Sequence, residues 1–160
     1  MKIVTQLFLL LVLCACQSGT TAQSDYPRMI GDISFDANLD NPAFKLCSGE
    51  KNAIQYYGLP EKPYIGEKPA LEKHFYDQYQ SDRATKESGL IRIRFLVNCE
   101  GKAGRFRLIG MDQDYQEKSF DPSITNQLLQ LTQSIPKWNS FSNAKRGIDY
   151  YNYLIFKIVD

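Results

Sequence analysis

Histidine is almost missing from this chain of 160 residues, which holds one, His74, together with one tryptophan, Trp138. A lone histidine with no cysteine or carboxylate at ligand spacing argues against a metal centre or a histidine-based acid–base site, since Glu72 and Asp77 fall on other faces of its segment. His74 is therefore read as a structural side chain. Excess charge is missing too. Nineteen Lys and Arg stand against eighteen Asp and Glu, a net charge of +1, so no global field argues for nucleic acid or an anionic membrane surface as the main partner. There is no Gly-x-Ser-x-Gly, no phosphate loop, no Cys-x-x-Cys and no pair of acids placed by a motif, which leaves a hydrolase, transferase or thiol oxidoreductase without its usual parts. The chain reads as no enzyme, with no cofactor and no metal.

What is present is a strong strand pattern in residues 90–111. Ile91, Ile93, Phe95 and Val97 share one face and Arg92 and Arg94 the other, the period of two that marks a half-buried strand. After a short polar turn at Glu100 and Gly101, Phe106 and Leu108 point one way and Arg105, Arg107 and Ile109 the other, completing a β-hairpin. One face needs a cover, and the other carries four guanidinium groups.

The amino terminus has the make-up of a signal peptide. Lys2 precedes an apolar core over residues 3–13, long enough for a signal but short of the roughly 20 residues that span a bilayer. Leu13-Cys14-Ala15-Cys16 then resembles the lipobox of bacterial lipoproteins. The resemblance implies cleavage after residue 15, a lipid on Cys16 and membrane anchoring by acyl chains without a spanning helix. Residues 16–24, uncharged and rich in Gln, Ser, Gly and Thr, suit a flexible tether of at most roughly 30 Å. Gln17 is not the aspartate that marks inner-membrane retention in enterobacterial lipoproteins, so the analogy favours the outer membrane, with the chain facing the periplasm. With Cys14 removed and Cys16 lipidated, Cys47 and Cys99 remain. In an oxidising compartment they are candidates for one disulfide, the alternative being two separate buried thiols.

Residues 25–63 read as an irregular extension broken by turn formers such as Asn41-Pro42 and Ser48-Gly49. Asp36, Asn38 and Asp40 alternate as in a calcium loop, but the glycine and distant glutamate of such loops do not follow, and solvated turn carboxylates are the better reading. Beyond the extension, Glu67-Lys68-Pro69 starts a helix that runs to about Tyr79 and sets Ala70, Leu71, His74, Phe75 and Gln78 at helical spacing. Asp121-Pro122 opens another, with Ile124, Leu128, Leu131 and Ile135 as its buried stripe and Pro136 as its stop. The last strand spans 150–159. Its Leu154, Phe156 and Ile158 join the apolar face of the hairpin, and Tyr151, Tyr153 and Lys157 lie on the arginine side.

The order helix, strand, strand, helix, strand over residues 64–160 resembles the C-terminal domain of the TonB family. Tyr64, Gly66, Ala70 and Leu71 match its Tyr-x-Gly and Ala-Leu, the hairpin matches its paired strands, Lys137-Trp138 its basic-Trp pair, and Phe156 and Ile158 its terminal Phe-x-Ile. The resemblance implies an α+β fold in which two helices pack on a three-stranded antiparallel sheet. The chain departs from the family's energy transducers in having a lipid signal and a short tether where they have a transmembrane helix and a long spacer, and Tyr79 is followed by Gln80 where the family has proline. What the resemblance carries over is a mode of contact: the last strand at a sheet edge accepts an extended segment of an envelope or transport protein, or a second copy of the chain, as an added strand. Tyr151, Tyr153, Ile155 and Lys157 are the contact residues this implies. Alternatives are a structural subunit of an envelope complex and, with less behind it, a small hydrolase. Arg92, Arg94, Arg105 and Arg107 form a basic platform that either holds a carboxylate-bearing ligand or is covered by the acidic stretch 25–40.

Overall fold

A strand whose every second residue is a large apolar group needs cover on that face, and here both faces are covered. The computed structural model describes residues 32–81 and 86–159. The signal segment, Cys16, the tether and the first residues of the extension lie outside the described residues. In chain order the elements are β1 (Ile54–Gln55), α1 (Glu67–Gln78), β2 (Gly89–Val97), β3 (Ala103–Met111), α2 (Pro122–Gln133), β4 (Phe141–Ser142), β5 (Gly147–Ile148) and β6 (Tyr150–Ile158). Strands β2, β3 and β6 form the hairpin and last strand read from the sequence, with β2 central and antiparallel to both neighbours.

The sheet nevertheless differs from the expected three antiparallel strands. It has four, in the order β1-β6-β2-β3, because β1 runs parallel to β6 with Ile54 opposite Tyr150 and Gln55 opposite Tyr151. The Ile54 N–H donates to the Asp149 carbonyl at 3.0 Å. Two residues are too few to show a period, so this strand is hidden in the sequence. The same holds for β4 and β5, a second small sheet in the stretch read as a polar turn.

On one face Ile91, Ile93, Phe95 and Val97, all fully buried, pack with Ile124, Leu128, Ile135, Trp138 and Tyr150. Helix α2 starts where expected: Asp121 is its N-cap, accepting the Ser123 N–H at 2.7 Å ahead of Pro122. Its fully inward residues are Ile124, Leu128 and Thr132, so Thr132 takes the place foreseen for Leu131, its hydroxyl donating to the Leu128 carbonyl at 2.8 Å. Helix α1 buries none of its residues fully and rests on the others through Leu71, His74 and Phe75.

The extension covers the opposite face. Leu96 and Tyr151 lie under Ile33 and Ala53, with Phe44 and Leu46 alongside. Phe44 sits so close to β3 that a side chain at Gly104 would meet its ring at 2.5 Å. Beside that glycine the ladder slips, two residues of β3 opposing one of β2, and Arg105 takes φ +55° in the bulge.

Candidate functional site

The basic platform is built from two strands and closed by the extension. Arg107 forms a two-pronged pair with Asp40, Nη1 to Oδ1 and Nη2 to Oδ2 both at 2.8 Å, and its Nη2 also donates to the Ser34 carbonyl at 2.9 Å. The Asp40 side chain is 1% exposed. Hydrogen bonds from Arg107 hold the Asp40 carboxyl below its ordinary value, against the opposing effect of burial. Arg105 donates to Glu50 at 2.7 Å and to the Ile33 carbonyl at 3.3 Å. The Asp36–Asp40 turn that resembles a calcium loop uses its side chains internally: Asp36 Oδ1 accepts the Asn38 N–H, and Asp40 Oδ2 accepts the Asp36 N–H, each at 2.8 Å. Of the two readings of the arginines, Arg107 shows cover by the acidic stretch through Asp40, whereas the acid on Arg105 is Glu50, beyond that stretch. Arg92 lies over the Tyr153 ring at 4.8 Å, and burial, then the charge of Arg92, lowers the pKa of Arg94. Arg92 Nε and Arg94 Nη2 are buried with no hydrogen-bond partner among the described residues.

The second region is the edge of β6. Successive residues of a strand turn their backbone groups to opposite edges. Because the Asp149 carbonyl faces β1, the backbone groups of Tyr151, Tyr153, Ile155 and Lys157 face the same way. Strand β1 reaches only Tyr151, and the Tyr153 N–H is taken by the Asn152 side chain at 2.9 Å. Among the described residues no strand continues along the edge at Ile155 and Lys157. Of the four residues implicated by sequence, Tyr151 is withdrawn, 6% exposed beneath Ile33, while Ile155 is 53% exposed. Tyr153 is held by Tyr56, ring to ring at 5.4 Å with the hydroxyls 3.4 Å apart.

Beside this edge runs a groove of about 1060 Å³ between β6 and α1. Leu71, Phe75 and Tyr79 form one wall, Leu154, Phe156 and Ile158 the other, with Leu128 lining it as well. Phe75 and Phe156 meet edge to face at 4.8 Å. The wall is held by His74, whose Nε2 is 3.0 Å from the Leu131 carbonyl and whose Nδ1 is 3.1 Å from Gln78 Nε2, joining α1 to the end of α2. On the rim, Lys68 pairs with Glu72 and Lys73 with Asp77 along the helix. Lys157 has no ion-pair partner among the described residues. The sequence does not reveal this groove, because helical spacing marks α1 as amphipathic while none of its residues is fully buried in the fold.

A third feature was also missed. Asp149, fully buried, accepts four hydrogen bonds: from the Cys47 N–H at 3.0 Å, the Ser48 N–H at 2.7 Å, the Ser48 hydroxyl at 2.8 Å and the Cys99 N–H at 3.0 Å. Cys47 and Cys99 are joined as a disulfide. The signal available in the sequence was an acid set directly between Ile148 and Tyr150. Among the described residues this is the one group of His, Cys, Asp and Glu dense enough to hold an ion, and its sulfurs are bonded to each other. No helix among the described residues is long and apolar enough to cross a membrane.

The chain matches no protein family, no curated protein and no solved structure. The likeness to TonB C-terminal domains and to lipoprotein signals stands on the residues quoted for it.

Proposed function

We propose that this chain is a lipid-anchored protein of the cell envelope, facing the periplasm at the outer membrane, whose folded unit holds an extended segment of an envelope or transport protein, or of a second copy, against the edge of β6. The observation that supports this reading is the coincidence of two features on one strand: edge backbone groups at Ile155 and Lys157 with no ladder partner among the described residues, and the apolar groove along the same residues. An added strand would place alternate side chains in the groove and satisfy the backbone groups by pairing. A small apolar ligand in the groove would leave those groups unpaired. The chain itself supplies an instance of the contact, since β1 is a short segment from elsewhere in the sequence laid along the same edge.

The test is Ile155→Pro. It removes one edge N–H at an exposed position where proline is tolerated, so the fold is expected to survive. A photocrosslinker placed at Lys157 should link a partner in membranes carrying the parent chain and lose that product in the proline variant, with thermal unfolding unchanged. An undiminished product in the proline variant refutes the reading.

A further inference from the structure

The Cys47–Cys99 disulfide has a charged neighbour with no part in the groove. The two sulfurs and an oxygen of the Asp149 carboxylate all lie within 4.8 Å of one another. All four groups around the carboxylate are donors, drawn from Cys47, Ser48 and Cys99, and they fix it to the backbone of both bridged residues. Cys47 is exposed and Cys99 half-buried, and a side chain at Gly147 would meet Cys99 Cβ at 2.4 Å, so approach is easier from the Cys47 side.

We propose that Asp149 guards this bridge by charge, so that the thiols able to exchange with it are those carrying positive charge beside the sulfur. Exchange begins when a thiolate attacks Cys47 Sγ. A bond forms between the two sulfurs, the Cys47–Cys99 bond breaks, and its electron pair leaves on Cys99 Sγ. A second thiolate then attacks the incoming sulfur of the mixed disulfide, releasing the Cys47 thiolate and an oxidised dithiol; both cysteines take up protons from water. Negative charge arrives, is shared among sulfurs and departs beside a fixed carboxylate at every stage. Two unit charges at 4.8 Å repel by about 0.9 kcal/mol in water and by about 3.5 kcal/mol at an effective dielectric of 20. Exchange is slowed by roughly fourfold to several hundredfold on that basis. An anionic reagent suffers a further repulsion of its own, and a cationic one is spared. The enzyme class suited to opening or forming this bridge is a thiol oxidoreductase with basic residues around its reactive cysteine.

The experiment follows bridge reduction in the intact protein by three thiols: cationic 2-aminoethanethiol, neutral 2-mercaptoethanol and anionic mercaptoacetate. Rates are normalised to thiolate concentration. The parent chain is expected to react in that order, with a spread that shrinks as salt is added. Asp149→Asn should speed the neutral thiol by at least about fourfold and narrow the spread, mercaptoacetate gaining most and 2-aminoethanethiol least. Ser48→Ala loosens the same cage while keeping its charge, and should alter the three rates by a common factor. A parent chain indifferent to thiol charge, or an asparagine variant that speeds all three equally, overturns the proposal. Should the asparagine variant fail to fold, the parent spread and its loss in salt, set against an unchanged spread in the serine variant, decide it.

Discussion

Truncating Asp40 and Arg107, singly and together, measures whether the extension is a fixed part of the fold or a loose cover over a ligand platform. The two charges face each other through parallel 2.8 Å hydrogen bonds, with the Asp40 side chain 1% and the Arg107 side chain 24% exposed. At about 4 Å between charge centres and an effective dielectric of 20, the attraction is about 4 kcal/mol before the loss of hydration is subtracted. A coupling of about 2–3 kcal/mol is expected from the double-mutant cycle. Asp40→Ala alone should cost about 3 kcal/mol, since it leaves Arg107 half-buried without its acid. In a unit of about 130 residues, with an unfolding entropy of about 2.1 cal/mol/K per residue, that loss lowers Tm by about 11 °C. The pH dependence is fixed as well. The fork holds the folded-state carboxyl below its ordinary value of 3.8, so the paired form contributes in full above that value. Its contribution is lost as the pH falls through the depressed folded value. The stability gap between the parent chain and Asp40→Ala, followed by urea unfolding, should be constant near neutrality and close in acid. A coupling under about 0.5 kcal/mol, the level of an exposed pair, would refute the reasoning and return Arg107 to the list of groups free for a carboxylate ligand.

Replacing both Cys47 and Cys99 by serine removes a link between residues 52 apart in sequence. It should cost about 4 kcal/mol by loop-closure entropy, read as a lower urea midpoint. At Gly101, φ is +77° and a Cβ would stand 2.2 Å from the Trp138 carbonyl oxygen. Gly101→Ala should therefore destabilise by about 2–3 kcal/mol and shift the fluorescence of the buried Trp138 to the red, while an unshifted spectrum at parental stability would deny the close approach.

Wherever a period ran for several residues, the sequence was legible. The faces of β2 and the inward set of β6 follow from alternation alone, and α2 from Asp121-Pro122 and its apolar spacing. Among the features that were not legible, three show different reasons. Strand β1 is two residues long and carries no period, so the mixed character of the sheet depends on a pairing that only the folded chain shows. The bulge at Arg105 changes the register of β3 inside an apparently regular run, and its residue is not glycine, so no turn former announced it. Asp149 stabilises a junction of segments about fifty and a hundred residues away, and such a junction leaves no local pattern. For the arginine platform, the choice between a ligand and an internal cover turns on where Asp40 and Glu50 lie, which is tertiary information.

The far end of β6 brings an exposed edge and an apolar groove together on one strand. Proteins that keep a strand edge open blunt it with charge, proline or a covering loop, because an open apolar edge invites pairing with any passing chain. This chain has such means and applies them elsewhere: β1 covers the start of the edge, Asn152 occupies the Tyr153 N–H, and the extension hides Tyr151. Past Tyr153 no further cover is found among the described residues, with Ile155 exposed, Lys157 the one charge on the strand and an apolar groove alongside. Helix α1 touches the sheet there through Phe75 on Phe156 and is tied to α2 by His74, and none of its residues is fully buried. Closing the groove would bury apolar area at about 25 cal/mol per Å², so a fold shaped for stability alone would close it. A partner strand would recover that burial on docking, which is the physical reason to look for one at Ile155 and Lys157 before anywhere else on the surface.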